Sequence, residues 1–379
     1  MKVWPVADNP LLRAPERFIS RGDIKELVRR LTDALVNIKE QAGESAIQLD
    51  DGRVVDGRSW AGWEWPQGVG LYGIWQYYRL TGDASMREVV ERWFADQFRK
   101  GAAPKNVNTM AALLTLAYVY EESGERTLLP YLDAWAEWVM RRMPRTPHAG
   151  LQHITCVADN HYQLWADTLM MTVLPLAKIG RVLGRPEYLD EAVYQFLLHA
   201  NYLQDRQSGL WFHGWTFDGN HSFARARWAR GNAWATIAIP DFLELMDLPE
   251  GNSARRFLLE VLDSQAAALG GCQADNGMWH TLLDDPSAYV ESSATAGFAY
   301  GLAKSVRLGY LDSSYLPVAE RAVRAVTEHI SPDGELLQVS GGTFLADDLD
   351  YSRHVELAST PYGQAMAMLC LAEYLRTYY

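Results

Sequence analysis

The stretch QLWADTLMM, residues 163–171, contains a single carboxylate in a largely apolar run. Asp167 lies between Trp165 and Leu169, with no Lys or Arg within several positions to pair with it. Loss of water around a carboxyl group raises its pKa, so it can hold a proton near neutral pH and act as a general acid. Alternatively, Asp167 caps the apolar helix that follows, and the helix dipole then lowers its pKa. The two interpretations predict opposite shifts.

Four loop segments combine Trp with His, Arg, Asn and Asp: GRSWAGWEWPQG, GLQHITCVADNHYQLWADT, GLWFHGWTFDGNHSFARARWARGNAW and NGMWHTLLDDPSAYVESSATAG. Flat indole rings stack on the C–H faces of sugar rings, while polar side chains bond the hydroxyl groups. Any single Trp could instead fill a gap between helices. The clustering of Trp with polar residues favours a carbohydrate-binding cleft.

Ordinary glycoside hydrolysis uses two carboxylates that flank the scissile bond. The candidates for a second carboxylate are Asp159, Asp218, Asp275 and Glu291. None of the four has a clear relation to the others or to Asp167 along the sequence. Only one acid therefore stands out.

The sequence gives no sign of a metal ion, a nucleotide cofactor or a nucleic-acid partner. The nine histidines form no H-x-x-x-H or H-E-x-x-H unit, and neither a P-loop nor a strand-linked G-x-G-x-x-G occurs. A net charge of −12, from 35 basic and 47 acidic residues, provides no basic field for nucleic acid or an anionic membrane. An anionic substrate would therefore have to be held by local Arg and His residues.

The cysteines and the N-terminus predict a soluble cytoplasmic protein. Cys156, Cys272 and Cys370 are an odd number and lie far apart, which fits a reducing compartment. The first residues, MKVWPVADNPLLRAPERF, lack a signal-peptide pattern, and no apolar run approaches the roughly 20 residues that span a bilayer. We therefore expect no membrane partner.

Helical periodicity dominates the chain. Residues 23–43 place five aliphatic residues, from Ile24 to Ile38, on one face of a helix, with Gly43 as a stop signal. After a Trp-rich loop, an aromatic-rich helix, a Gly or Asp turn and a second amphipathic helix recur with a period of roughly 40 to 60 residues. The terminal helices are as apolar as the others, which favours a closed ring. We predict an all-α fold, an (α/α)6 barrel of about six helical hairpins, as a single domain over residues 1–379 with residues 1–20 as a peripheral segment.

Several motifs together resemble one family of enzymes. The segments NVNTMAALLTLAYVYEESG, GLQHIT, QLWADTLMMTVLPLAK, GLWFHGWTF and WARGNAW are similar to those of the unsaturated rhamnogalacturonyl hydrolases of glycoside hydrolase family 105. The resemblance runs in order from about residue 60 to the C-terminal helix. It implies an (α/α)6 barrel that removes a 4,5-unsaturated galacturonyl residue from the non-reducing end of rhamnogalacturonan fragments, with a small oligosaccharide as substrate.

The resemblance also implies a mechanism and a set of site residues. An aspartic acid protonates C4 of the C4=C5 vinyl ether, water adds at C5, and the resulting hemiketal opens. One acid/base residue can serve both proton transfers. The residue that matches this aspartate is Asp167, and those that match the substrate pocket are His153, Trp165, His213, Trp228, Arg230 and Trp234. Arg230 and the two histidines would be the local positive groups that bind the uronate carboxylate.

The sequence departs from the family at one position. Several relatives carry a further Asp where this chain has Asn108, in the motif N-V-N-T. An amide can orient water or hydroxyl groups but cannot act as a base. Asn106 and Asn108 are therefore expected to bind substrate.

Other functions on the same barrel stay open, because a fold does not fix a function. One alternative is an inverting glycosidase or a sugar epimerase. The other is a carbohydrate-binding protein without catalysis, which would leave Asp167 exposed and outside the Trp-lined pocket. The sequence does not define the oligomeric state.

Overall fold

The structure is a computed structural model that describes residues 18–38, 46–48, 52 and 54–379. In chain order, its helices are α1 (Arg21–Asn37), α2 (Trp65–Thr81), α3 (Ala84–Lys100), α4 (Ala112–Ser123), α5 (Leu129–Arg141), α6 (Leu174–Leu183), α7 (Pro186–Leu203), α8 (Ala229–Met246), α9 (Ser253–Cys272), α10 (Ser292–Arg307), α11 (Leu316–Glu328), α12 (Leu349–Arg353) and α13 (Pro361–Tyr378). Short 3₁₀ turns cover Thr109–Ala111, Arg126–Leu128 and Ser313–Tyr315, and a π-helical turn covers Leu169–Val173.

The helices form two concentric layers. The inner helices α2, α4, α6, α8, α10 and α13 are buried along most of their length, and each contacts the next around a ring that closes between α13 and α2. Helices α3, α5, α7, α9 and α11 each pack outside the inner helix that precedes them, and α1 packs on α13. This arrangement confirms the predicted (α/α)6 barrel.

The outer helices are amphipathic, as their periodicity predicts. Helix α1 buries Ile24, Val28, Leu31 and Leu35 against the inner layer, while Leu27 is only half-buried. Its N-terminus is capped by Ser20, whose hydroxyl group accepts a hydrogen bond from the Asp23 N–H at 3.1 Å. The helix ends at Asn37, and the predicted stop at residue 43 lies outside the described residues. Residues 1–17 of the predicted N-terminal segment lie outside them as well, and the single domain over residues 1–379 stays a prediction.

The inner helices approach one another closely. A Cβ atom at Gly301 of α10 would lie 2.2 Å from the carbonyl oxygen of Thr236 in α8. Only glycine fits this contact without displacing one of the two backbones.

The loops at one end of the barrel carry short antiparallel ribbons. The strands are β1 (Ala46–Gln48), β2 (Val54–Asp56), β3 (Gln163–Trp165), β4 (Gly214–Thr216), β5 (Trp279–His280), β6 (Val290–Glu291), β7 (Val339–Ser340) and β8 (Leu357–Ala358). They pair as β1–β2, β3–β4, β5–β6 and β7–β8. Several of these ribbons immediately precede inner helices, so they fix the residues at the helix N-termini.

Candidate active site

A cavity of about 580 Å³ lies at the N-terminal ends of the inner helices. This volume is typical of a small-ligand site. Residues that precede or begin α2, α4, α6, α8 and α13 form much of its wall, together with the loops at residues 153–160 and 341–344. The predicted site residues that line the cavity are Asn108, His153, Trp165, Asp167, Trp228 and Arg230.

The β3–β4 ribbon places Asp167 opposite His213. Trp165 pairs with Gly214 across the ribbon, and the Ala166 N–H donates to the His213 carbonyl oxygen at 3.1 Å. The side chains that follow therefore meet, and Nε2 of His213 lies 3.2 Å from Oδ2 of Asp167. This is ion-pair distance. His213 itself is buried behind Asp167, whose side chain keeps 18% of its surface exposed.

The pKa of Asp167 lies below its ordinary value of 3.8. Burial acts to raise this pKa, but the neighbouring His213 offsets burial and lowers it. The expectation of a raised pKa from an unpaired carboxylate is therefore wrong, because His213 supplies the partner that the local sequence lacks. The capping alternative predicted the right direction for a different reason. The residue at the cap position of the π-helical turn is Thr168, and it makes no capping bond with its side chain.

His153 supports the cavity wall as a neutral ring. Its Nδ1 atom shares a hydrogen bond of 2.9 Å with the Thr168 hydroxyl group, and its ring stacks on Trp165 at 4.3 Å with an interplanar angle of 2°. Burial lowers the pKa of His153 to about 3. The expectation that His153 supplies positive charge is therefore wrong, while its role in substrate binding stays a prediction.

Arg230 is the buried cation of the site. Its guanidinium group lies between the rings of Trp228, at 4.3 Å, and Tyr362, at 4.7 Å. Nη1 donates to the Ser340 carbonyl oxygen at 2.8 Å, and Nη2 donates to the Gly341 carbonyl oxygen at 2.7 Å. Because Nη2 carries two hydrogens, this bond leaves one N–H for a ligand. Arg230 therefore anchors the loop after β7 and can still contact a substrate.

The tryptophans divide into two groups. Trp165 and Trp228 line the cavity, and both rings also contact the His213 ring, at 5.0 and 4.4 Å. Trp234 is fully buried and meets Trp65 edge to face at 5.8 Å, so it supports a wall residue from behind.

Asn106 and Asn108 also differ in position. The Asn106 Oδ1 atom accepts from the N–H groups of Asn108, at 2.8 Å, and Thr109, at 3.0 Å, so this side chain shapes the turn before α4. Asn108 lines the cavity, whereas Asn106 lines a smaller adjoining one.

The structure brings further residues into the cavity that sequence reasoning missed. They are Arg58, Glu64, Trp65, Cys156, Thr360 and Tyr362. Glu64 and Trp65 belong to the Trp-rich segment GRSWAGWEWPQG, so the aromatic clustering was the available signal. Tyr362 follows Pro361 at the start of α13, and its hydroxyl group donates to the Ser340 carbonyl oxygen at 2.7 Å.

The four candidates for a second carboxylate lie elsewhere in the described chain. Glu291 caps α10 by accepting from the N–H groups of Ser293 and Ala294. Asp218 is exposed beside His161, Asp275 is exposed, and Asp159 borders the smaller adjoining cavity.

Among the described residues, no group of three or more His, Cys, Asp or Glu side chains is arranged to hold a metal ion. None of the helices described is long and apolar enough to cross a membrane.

A barrel of six helix pairs with a carboxylate, an arginine and tryptophans in one terminal cavity is the architecture expected of a helical-barrel glycoside hydrolase. The chain belongs to Glycosyl Hydrolase Family 88, whose model matches residues 37–378. This match and the relatives below confirm the resemblance that the motifs carry.

The curated relatives include the unsaturated rhamnogalacturonyl hydrolase YesR of Bacillus subtilis (strain 168). It is 30% identical over 318 residues, which cover 83% of this chain and 90% of YesR. A crystal structure from Klebsiella pneumoniae subsp. pneumoniae MGH 78578, of a possible member of the GH105 family, is 62% identical and covers 100% of both chains with a TM-score of 0.95. A family 105 hydrolase structure from C. acetobutylicum ATCC 824, at 21% identity, covers 92% of this chain and 98% of its own, and its TM-score of 0.78 shows a shared fold.

Proposed function

We propose that this glycoside hydrolase removes a 4,5-unsaturated galacturonyl residue from the non-reducing end of rhamnogalacturonan fragments. The observation that carries the proposal is the Asp167–His213 pair on the wall of a cavity shared with Arg230, Trp165 and Trp228. The similarity to YesR over 90% of that enzyme's length supports the same substrate class.

The proposed chemistry begins at Asp167. The carboxyl group gives its proton to C4, the electrons of the C4=C5 bond form the new C–H bond, and the ring oxygen shares the positive charge left at C5. Water then adds at C5 and returns a proton to the Asp167 carboxylate. The hemiketal opens and releases the neighbouring sugar. His213, whose Nε2 atom lies 3.2 Å from Oδ2, positions this carboxyl group for both proton transfers.

Binding of the uronate carboxylate would use two sources of positive potential. The first is Arg230, through its remaining Nη2 hydrogen. The second is the set of inner-helix N-termini, because each carries a partial positive charge from its unpaired N–H groups. Together they provide a local field that opposes the net charge of −12.

A carbohydrate-binding protein without catalysis is less well supported. That alternative expects Asp167 to be exposed and outside the aromatic pocket. Asp167 is instead largely buried, and it lines the cavity together with Trp165 and Trp228.

The test uses an unsaturated galacturonyl–rhamnose disaccharide, prepared by lyase treatment of rhamnogalacturonan. We expect the ultraviolet absorbance of the vinyl ether to disappear as the wild-type enzyme is added. The saturated disaccharide serves as control, since a conventional glycosidase would cleave it and a hydratase would not. No loss of absorbance with any unsaturated uronyl disaccharide would exclude the proposed reaction. Preference for an unsaturated glucuronyl substrate would exclude only the proposed sugar.

A further inference from the structure

Glu64 is a buried carboxyl group on the wall of the same cavity. It directly precedes α2, is 4% exposed, and lines the cavity together with Asn108 and Asp167. Its N–H donates to Oε1 of Gln67 at 3.0 Å, and its Oε2 atom lies 3.4 Å from the Trp65 N–H, as in a capping box. Helix capping is therefore one role of Glu64. Capping alone does not explain why Glu64 also lines the cavity.

The contacts of Glu64 come from neutral donors. The Cys156 thiol group donates to Oε1 at 3.5 Å, and the side chains of Asn106 and Asn108 hydrogen-bond to the carboxyl group. Because Oδ1 of Asn106 accepts two backbone N–H groups, its amide nitrogen is the atom available to Glu64. The titratable and charged groups elsewhere on the cavity wall are Arg58, Cys156, His153, Asp167, Arg230 and Tyr362.

Burial has the largest effect on the pKa of Glu64. It raises the pKa of Glu64 to about 7, although the thiol, the Trp65 N–H and the two amides act to lower it. The pKa of Asp167 is lowered. The cavity therefore contains two carboxyl groups with different pKa values, so that near neutral pH Asp167 is ionised while Glu64 can keep its proton. Two acids with such different pKa values can have different roles in one site.

We propose that Glu64 is a second carboxyl group of the substrate pocket, which acts in its neutral form and donates a hydrogen bond to the bound saccharide. This inference rests on the proposed function, because the uronate supplies the negative charge that an ionised Glu64 would repel. Glu64 lines the cavity, and the groups that contact its two oxygens are donors, so the O–H of a protonated Glu64 would find its acceptor in a bound saccharide. Glu64 thus lies beside Asn108 and provides a carboxyl group from a different loop.

The test compares Glu64→Gln with the wild type across pH. Glutamine keeps the size and the hydrogen-bonding groups of a protonated glutamate, but it stays neutral at every pH. The ratio of kcat/KM in the variant to that in the wild type cancels the contribution of Asp167 and His213, which both proteins share. We expect a constant ratio below about pH 6 and a rise of about tenfold per pH unit above about pH 7.

Glu291→Gln is the matched control. Glu291 is also a fully buried glutamate that caps an inner helix, but it does not line the cavity. For this variant, we expect the corresponding ratio to be independent of pH. A ratio for Glu64→Gln that is likewise independent of pH would show that Glu64 only caps α2, and would overturn the inference. A loss of kcat/KM of about 100-fold or more at every pH would also overturn it, since it would mean that Glu64 transfers a proton.

An infrared difference spectrum between the wild type and Glu64→Gln tests this inference independently of the proposed function. It detects the band of the protonated Glu64 carboxyl group, and it needs no substrate. Loss of that band as the pH rises through about 7 supports a neutral Glu64, and its absence at pH 6 overturns it. If the wild type acts on no unsaturated uronide, the proposed function fails on its own assay, while this titration still decides the state of Glu64.

Discussion

The Nε2 atom of His213 lies 3.2 Å from the Oδ2 atom of Asp167, and the two residues belong to distant segments that the β3–β4 ribbon brings together. A buried carboxylate without this partner would have a raised pKa. With it, the pKa of Asp167 is lowered. The contact with His213 therefore lowers the pKa of Asp167, the residue on which the proposed chemistry depends.

The first prediction concerns the energy of this pair. In a double-mutant cycle of His213→Gln and Asp167→Asn, we expect a coupling of about 0.5–3 kcal/mol in the free energy of unfolding at pH 7, the range for side chains in direct contact. Because the folded pKa of Asp167 is below 3.8, its contribution is present above that pH and is lost as the pH falls through the folded value. Urea unfolding at several pH values measures this. A coupling near zero at pH 7 would contradict it.

The second prediction concerns catalysis by Asp167. The amide of Asp167→Asn keeps the shape of the side chain but cannot transfer a proton. We expect kcat to fall by about 10²- to 10⁴-fold, with a small change in KM, in the vinyl-ether assay. Circular dichroism and the Tm serve as controls for folding. A variant within about threefold of wild-type kcat would assign the proton transfer to another group.

The fold could be predicted because its signals are local. Helical periodicity and turn residues recur along the chain, and the apolar terminal helices indicate that the ring closes. Four site residues could be predicted for the same reason, because their signals are also local. These residues lie within short motifs immediately before inner helices or in their first turns, and they are Trp165, Asp167, Trp228 and Arg230. Residues of this kind reach the cavity as soon as the helices are arranged in a barrel.

The electrostatics of the site could not be predicted in this way, because they depend on contacts between distant segments. The pKa of Asp167 depends on His213 from the other strand of a ribbon. The pKa of Glu64 depends on its burial in the folded barrel and on opposing hydrogen bonds from Cys156 and Asn108, which lie on two separate loops. The three tryptophans near Glu64 mark its segment as a candidate for the cavity wall, but nothing near it in the sequence indicates how the fold shifts its pKa.

The third prediction concerns Arg230. Lysine keeps the charge but cannot donate to both the Ser340 and Gly341 carbonyl oxygens while packing flat between Trp228 and Tyr362. For Arg230→Lys, we expect a several-fold higher KM and a free energy of unfolding lower by about 1.5–3 kcal/mol.

Arg227→Lys is a matched control for that variant. Arg227 lies three residues earlier, pairs with Asp205 and Asp284, and is not among the residues that line the cavity. We expect Arg227→Lys to lower stability and to leave KM unchanged. If both variants raised KM equally, Arg230 would have no specific role in binding.

The fourth prediction separates the stability of the barrel from its active site. Asp241 in α8 accepts hydrogen bonds from the hydroxyl groups of Tyr72, at 2.8 Å, and Tyr300, at 2.7 Å, and it pairs with the Lys304 ammonium group at 2.5 Å. These bonds join α2, α8 and α10. At 1.5 Å per residue, Asp241 lies about 16 Å along α8 from Arg230 and therefore far from the cavity.

We expect Asp241→Asn to lower the free energy of unfolding by about 1.5–3 kcal/mol, because it removes one of the two carboxylates that pair with the buried Lys304 and leaves Glu244, at 2.6 Å, as the other. Helix ends about 16 Å away should keep their geometry, so kcat and KM of the folded fraction should stay within about twofold of the wild type. Asp33→Asn is the control, because the Arg29–Asp33 pair is exposed and should have little effect on unfolding. Urea unfolding followed by the vinyl-ether assay below the transition measures both properties. A large fall in kcat with unchanged stability would show that this buried network is coupled to the active site.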